Sequence, residues 1–123
     1  MKSENYQRGL DLFGRMHGNH AGEGLVNGLK DIAPELAEMI IEWGFGEIMV
    51  REQLDLKSRE LAIIASIVTL GFAMPQLKAH IEAALNIGAS KKEIVEVIIQ
   101  TALYAGFPAT INAIYVAKDV FNQ

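Results

Sequence analysis

The chain has 123 residues, half of them hydrophobic, which is enough for a domain with its own core. Its net charge of −4 and its scattered basic residues exclude the clustered lysine and arginine footprint of a nucleic-acid-binding protein. It contains no cysteine, which excludes disulfides, thiolate metal sites, iron–sulfur clusters and cysteine nucleophiles, and which fits a cytoplasmic location.

The N-terminal residues predict a helix followed by a glycine-rich loop. Leu10 and Phe13 stand at helical spacing within residues 4–16. Residues 1–15 mix polar and apolar side chains and do not resemble a secretory signal. Three glycines within residues 18–24 predict a loop or a frayed turn. A short helical piece is expected after it, at residues 25–29.

The next predicted helix runs up to and past Trp43. Asp31 is a candidate N-cap for this helix, and Pro34 fits its first turn. Two glycines then follow in quick succession, Gly44 and Gly46, and they are expected to loosen its C-terminal end.

Residues 61–73 are the most hydrophobic run of the chain. They belong to a helix that is expected to begin at Asp55 or Ser58 and to end at Gly71. The run is shorter than the roughly 20 apolar residues of a membrane span, so we predict a buried helix and no membrane partner. A helix that is apolar on nearly all sides lies in the middle of a bundle or at a contact between subunits.

Three further helices are predicted in the C-terminal half. Pro75 opens the first and Gly88 ends it. The motif S-x-x-E at residues 90–93 is a capping box, and it opens a helix that is expected to end at Gly106. Pro108 opens the last helix. Since no hairpin turn or two-residue alternation occurs, the predicted fold class is all-α, in a single domain.

His80 and Glu60 are the candidate acid–base residues. His80 lies among apolar residues of its helix, so its imidazole is expected to point inward, where a hydrogen bond must satisfy it. Glu60 lies in the first turn of the hydrophobic helix, where a carboxylate can orient a histidine or accept a proton. The alternatives are a histidine that only packs in the core and a carboxylate that only favours the helix dipole.

Five other polar residues are candidates for substrate or metal binding. Arg51 and Arg59 flank the start of the hydrophobic helix, and arginine is the natural partner of a substrate carboxylate, although surface solvation or ion pairing is the favoured explanation of either one alone. His17 and His20 stand three residues apart among glycines, and Glu23 is not a convincing third ligand. We therefore predict no metal site.

Three ordered blocks of the sequence resemble the carboxymuconolactone decarboxylase family. The first block reads WGFGE and then LDLKSREL within residues 43–61; the second reads LKAHIEAALNIG over residues 77–88; the third reads EIVEVIIQ and then YAGFPA within residues 93–109. The resemblance, which spans about residues 43–117, implies one domain of this family over residues 1–123 with an AhpD-like helical bundle. It also implies a homo-oligomer, commonly a trimer or a hexamer.

The family that this sequence resembles includes members with two different activities, peroxidases and decarboxylases. Members with peroxidase activity are similar to one another in a C-x-x-C pair on the helix after the glutamate, where this chain reads GFAMP over residues 71–75. Without the two sulfurs, thiol peroxidase chemistry is excluded. The decarboxylase branch is the better match, and its namesake reaction removes CO2 from a carboxylated muconolactone during aromatic-compound degradation, with no cofactor.

The resemblance also implies roles for the candidate residues. His80 would transfer a proton, and Glu60 would orient it or share the proton. Arg51 or Arg59 would anchor a carboxylate of a small anionic substrate. The alternative function is a non-catalytic or differently specific oligomeric member of the family that binds a ligand.

Overall fold

All regular secondary structure in the described part of the chain, residues 2–123, is helical in a computed structural model. The all-α prediction is therefore confirmed, and this architecture agrees with the AhpD-like fold that the resemblance implies. No helix within these residues is both long and apolar enough to cross a membrane. Two compact units divide the chain, Met1–Leu56 and Lys57–Gln123, so the organisation as one domain stays a prediction.

Four helical segments make up the first unit. They are α1 (Glu4–His17), α2 (Ala21–Leu29), α3 (Pro34–Met39) and a π-helix (Ile40–Ile48) that continues directly from α3. The hydroxyl of Ser3 caps α1 by accepting a hydrogen bond from the backbone N–H of Tyr6.

The predicted loop at residues 18–24 is wrong from Ala21 onward, because α2 begins there and not at Leu25. The buried Gly22 explains the difference. A Cβ at this position would run into the side chain of Leu10 on α1, so the missing side chain lets α2 pack closely on α1. Helix propensity alone disfavours this segment, and tertiary packing overrides it.

The prediction that Asp31 caps the next helix is also wrong. Ala33 occupies the N-cap of α3 without a side-chain hydrogen bond, and Pro34 stands in the first turn as expected. Proline disfavours the α conformation in the residue before it, and Ala33 accordingly has φ −154° and ψ 66°. The helix therefore begins at the proline, beyond the reach of Asp31.

The sequence predicted a loosened helix end at Gly44 and Gly46, but the structure has a regular π-helix there. Its backbone hydrogen bonds join residues five positions apart. For example, the N–H of Met49 donates to the carbonyl of Gly44 at 2.9 Å. A Cβ at Gly46 would collide with the Asn5 carbonyl of α1, and one at Gly9 would collide with the Ile41 carbonyl of the π-helix. The two glycines therefore allow the two helices to meet backbone to backbone.

We expect Gly9→Ala to lower the free energy of unfolding by about 1–3 kcal/mol, because the added methyl group has no space between two backbones. Gly44→Ala is the matched control, since nothing lies near its Cβ position and alanine is the better helix former by up to about 1 kcal/mol. Urea unfolding of both variants measures the difference. Equal effects of the two substitutions would contradict this account.

The second unit contains five helices. They are α4 (Leu56–Leu70), which begins at the unit boundary, α5 (Met74–Asn86), α6 (Lys91–Gln100), α7 (Ala102–Ala105) and α8 (Phe107–Phe121). Gly71 and Gly88, with φ of 81° and 106°, end α4 and α5 as predicted. The single helix expected between residues 90 and 106 is interrupted at Thr101, whose hydroxyl donates to the carbonyl of Ile98.

Apolar side chains of α4, α5, α6 and α8 form the core of this unit. Its fully buried members are Ile64, Val68, Leu77, Ile81, Ala84, Ile94, Ile98 and Ala113. The core does not enclose α4, because Ala62, Ser66 and Thr69 on its other side are exposed. Glu60 and His80 are both attached to helices of this core, α4 and α5.

The capping box at residues 90–93 is confirmed. The Ser90 hydroxyl accepts from the Glu93 N–H at 3.0 Å, and Glu93 Oε1 accepts from the Ser90 N–H at 2.9 Å. Glu93 Oε2 also pairs with Lys57 Nζ at 2.9 Å, which ties the start of α6 to the start of α4. The backbone hydrogen bond from Ser90, and then the one from Lys57, hold the pKa of Glu93 below its ordinary value of 4.5.

We expect Glu93→Gln to lower stability near neutral pH and to lose this effect in acid. A carboxyl group whose pKa is lowered by folding stabilises the protein above its unfolded pKa, and the contribution disappears as the pH falls through the folded pKa. The urea midpoints of wild type and variant should therefore differ at pH 7 and converge below pH 4.5. Glu96→Gln, at an exposed position of the same helix, is the control. Midpoints that stay equally separated at every pH would contradict the assignment.

Candidate active site

Glu60 is a carboxylate inside the protein. It is the fifth residue of α4 and its side chain is completely buried. Ile64, one turn further along the helix, belongs to the apolar core. A charged side chain in such surroundings is unusual unless a partner compensates for the lost hydration.

That partner is His80, on the following helix. Its neighbours one turn away on α5, Leu77 and Ala84, are buried in the core, and the imidazole points toward the same side. The His80 side chain is 20% exposed, so it is mostly buried but not sealed from the surface. The side chain therefore lies beside the buried carboxylate and keeps some access to solvent.

The two side chains are joined directly, with 2.5 Å between His80 Nδ1 and Glu60 Oε1. Because a carboxylate accepts, the ring proton of this contact belongs to Nδ1. This contact fixes the ring orientation and the tautomer, so proton exchange with a third molecule would use Nε2 on the opposite edge. Residues that stand 20 positions apart in the chain thus form one acid–base unit.

The second carboxylate oxygen of Glu60 is not compensated in this way. Oε2 is buried and has no hydrogen-bond partner among the described residues. Leaving such an acceptor unsatisfied costs roughly 1–3 kcal/mol. Groups of this kind are rare in folded proteins and are commonly connected with function.

The two arginines lie in different units. Arg59 is half-buried on α4 directly before Glu60, and successive helical residues point about 100° apart. Arg51 is exposed in the segment after the π-helix, within the first unit. The carboxylate-binding role of both residues stays a prediction.

The histidines of the first unit differ from His80 in their surroundings. The ring of His17 packs against Phe13 at 5.0 Å and against Phe45 at 5.8 Å between centroids. His20 and Glu23 are mostly exposed, with 3.8 Å between Nδ1 and Oε2. Within residues 2–123, no three potential metal-ligating histidine or carboxylate side chains converge.

Sequence reasoning missed Lys57, which lies three residues before Glu60 on α4. Its ion pair with Glu93 anchors the first turn of the helix that carries the buried carboxylate. The capping box did predict that Glu93 lies at a helix start. It did not predict that Glu93 Oε2 pairs with Lys57, because these two residues are 36 positions apart in the chain.

The second unit is thus an all-helical protein module in which a buried carboxylate and a partly exposed imidazole on successive helices form a hydrogen-bonded pair, a candidate acid–base site without sulfur. The sequence profile described as the carboxymuconolactone decarboxylase family matches residues 34–119, about 70% of the chain. The protein belongs to this family, so the resemblance noted from residues 43–117 is confirmed.

Individual relatives support the same family. The 4-carboxymuconolactone decarboxylase of Acinetobacter baylyi is 33% identical, covering 98% of this chain and 89% of that protein. The nitrosuccinic acid decarboxylase npaB of Metarhizium robertsii is 32% identical, covering 82% and 72%. An uncharacterized 15.0 kDa protein of Paracoccus denitrificans is 35% identical, covering 80% and 74%. The family is thus of the decarboxylase type.

Proposed function

We propose that the protein is a cofactor-free carboxy-lyase that releases CO2 from 4-carboxymuconolactone or a related small carboxylated acid. The observation that carries this proposal is the Glu60–His80 pair, with its 2.5 Å contact, buried carboxylate and partly exposed ring. Decarboxylation needs a positioned proton donor, and a histidine oriented by a carboxylate supplies one.

The substrates in the names of two relatives share an electronic property. In 4-carboxymuconolactone and in nitrosuccinic acid, the bond to a carboxyl carbon can break so that its electron pair passes to a conjugated carbonyl or a nitro group. Because the substrate itself accepts the electrons, no cofactor is needed as an electron sink. The proposed substrate class is therefore a small acid with a carboxylate next to such an acceptor.

The proposed reaction has two steps. First, the carbon–carbon bond to the carboxylate breaks, CO2 leaves, and the electron pair delocalises onto the acceptor oxygen. Second, His80 donates the proton on Nε2 to a carbon of the resulting anion, and water later restores that proton. Glu60 keeps its hydrogen bond to Nδ1 throughout and stabilises the protonated ring. The net reaction converts one carboxylate and one proton into the product and CO2.

Arg51 and Arg59 are the proposed anchors for substrate carboxylates. A guanidinium group binds a carboxylate through two parallel hydrogen bonds, which fixes its orientation as well as its position. Holding the leaving carboxylate in line with the conjugated acceptor would contribute to the rate through orientation. A cytoplasmic location and participation in aromatic-compound degradation stay predictions.

The test is a direct decarboxylation assay with purified protein that has been treated with a chelator. We expect CO2 release from 4-carboxymuconolactone or nitrosuccinic acid, and in D2O the product should contain one deuterium at the carbon that receives the proton. Failure of the folded protein to release CO2 from either acid at millimolar concentration would contradict the proposal. That result would favour the ligand-binding alternative.

A further inference from the structure

A row of exposed apolar side chains runs along α3 and the π-helix. Leu36, Met39 and Trp43 are 45%, 60% and 61% exposed. They stand three and four residues apart, and steps of this size return to the same side of a helix. We call these three residues the apolar stripe. Ile32, in the turn before α3, adds an apolar side chain that is 83% exposed at the N-terminal end of the stripe.

The stripe is not the side of this segment that packs inside the first unit. The packed side consists of Ala37, Ile41 and Phe45, which are buried. Ile41 closely approaches Gly9 of α1, and the centre of the Phe45 ring lies 4.6 Å from that of Phe13. The segment is therefore apolar on two sides, and the second side faces solvent. A helix that exposes a second apolar side is typical of a contact surface.

The segment that carries the stripe is strongly acidic. Residues 31–50 contain five acidic residues and no lysine, arginine or histidine, within a chain whose net charge is −4. All five acidic side chains are exposed: Asp31, Glu35, Glu38, Glu42 and Glu47. The surface of this segment therefore combines large apolar side chains with a concentration of negative charge.

The carboxylates border the stripe. Glu38, Glu42 and Glu47 accept hydrogen bonds from polar side chains of residues 2–5, at and before the start of α1. Lys2 is the cation among these partners, with 2.6 Å between its Nζ and Glu38 Oε1. Glu35 stands four residues before the middle residue of the stripe, and so on the same side of α3. One cation does not balance these charges, so the border of the stripe stays negative.

We propose that the apolar stripe is the docking site of a basic amphipathic helix that belongs to another protein. Such a helix has an apolar row flanked by lysine and arginine, so its row would pack on the stripe while its cations meet the bordering carboxylates. Residues 32–43 extend over roughly 15 Å, which matches about three turns of a partner helix. This inference stands apart from the proposed carboxy-lyase activity, since neither Glu60 nor His80 belongs to the stripe.

The size of the surface indicates a transient contact. Together with Ile32, the stripe exposes on the order of 500 Å², which is less than the ~800 Å² that each partner contributes to a standard interface. In a contact of this size, opposite charges on the two partners contribute strongly to the association rate and to the choice of partner. The binding should therefore depend on ionic strength.

Charge disfavours two other occupants of the stripe. A second copy of this chain would bring the same carboxylates close to those of the first, and like charges across a contact oppose binding. A membrane surface is anionic and attracts lysine and arginine, which residues 31–50 lack. A cationic helix instead gains from every carboxylate on the border.

The probe for this surface is a synthetic peptide of about 15 residues, with leucine along one helical side and lysine at the other positions. A second peptide has glutamate in place of every lysine. Trp43 is the single tryptophan of the chain and belongs to the stripe, so its emission reports the binding of either peptide. We expect the lysine peptide to shift this emission to shorter wavelength, with an affinity that falls at least about tenfold between about 0.05 and 0.5 M salt. The glutamate peptide should cause no shift.

Two variants of equal charge locate the binding. Met39→Lys places a cation within the stripe, whereas Leu103→Lys places one on α7, at a side chain that is 78% exposed. Because both side chains are exposed, both variants are expected to fold, and circular dichroism checks this. The anisotropy of a labelled lysine peptide should show binding weakened at least about tenfold by Met39→Lys and less than about threefold by Leu103→Lys.

Four results would overturn the proposal. They are no binding of the lysine peptide, equal binding of both peptides, equal effects of the two substitutions, and a shift of Trp43 emission without peptide that Met39→Lys abolishes. The last result would identify a second copy as the occupant if the shift follows protein concentration. It would identify a lipid surface if the shift requires vesicles of phosphatidylcholine and phosphatidylglycerol.

Discussion

His80→Gln should lower the rate of decarboxylation by about 10²–10⁴-fold and leave the protein folded, because it removes the proposed proton donor. Glutamine is chosen because its amide N–H can still donate to the buried Oε1 of Glu60, which keeps the carboxylate hydrogen-bonded. The measurement is CO2 release at saturating substrate, together with the thermal unfolding midpoint of each protein.

The control for this variant is His20→Gln. His20 is almost fully exposed in the first unit, so its replacement should change neither the rate nor the stability. If His80→Gln is folded and as fast as wild type, His80 is only a packing residue and the proposed mechanism fails. A fall in rate that merely follows a fall in stability would point to the same conclusion.

The parts of the fold that were predictable depend on local chemistry. The capping box at residues 90–93 and the helix stops at Gly71 and Gly88 follow from contacts within a few residues, and the structure contains all of them. The π-helix was not predictable in the same way. It rests on the close approach of Gly9 and Gly46, which are 37 positions apart and lie on different helices.

In the candidate site, too, the helical positions of the residues could be predicted from the sequence, whereas the contacts between helices could not. Helical spacing placed His80 on the apolar side of its helix and Glu60 in a first turn, but it does not say which side chains of two helices meet. The 2.5 Å contact depends on how α4 and α5 pack around Ile64, Leu77 and Ile81. The unpartnered Oε2 of Glu60 is likewise a property of the packed core that no motif encodes.

Glu60→Leu is expected to lower activity while changing stability little. Removing the buried carboxylate eliminates the unsatisfied acceptor Oε2, which favours the folded state by roughly 1–3 kcal/mol, but it also removes the hydrogen bond to His80 Nδ1, whose loss has a cost of similar size. The free energy of unfolding should therefore change by less than about 2 kcal/mol. The rate of decarboxylation should fall by about 10–100-fold, since the ring loses the group that orients it.

Glu60→Gln separates the hydrogen bond from the charge. Its amide oxygen can still accept from His80 Nδ1, but it lacks the charge that stabilises a protonated ring, so its rate should lie between wild type and Glu60→Leu. In the His80→Gln background, Glu60→Gln should cause no further loss, because residues that act as one unit are not additive. Losses that multiply, or a Glu60→Leu variant that is unstable yet fully active, would show that the carboxylate serves only the packing of α4.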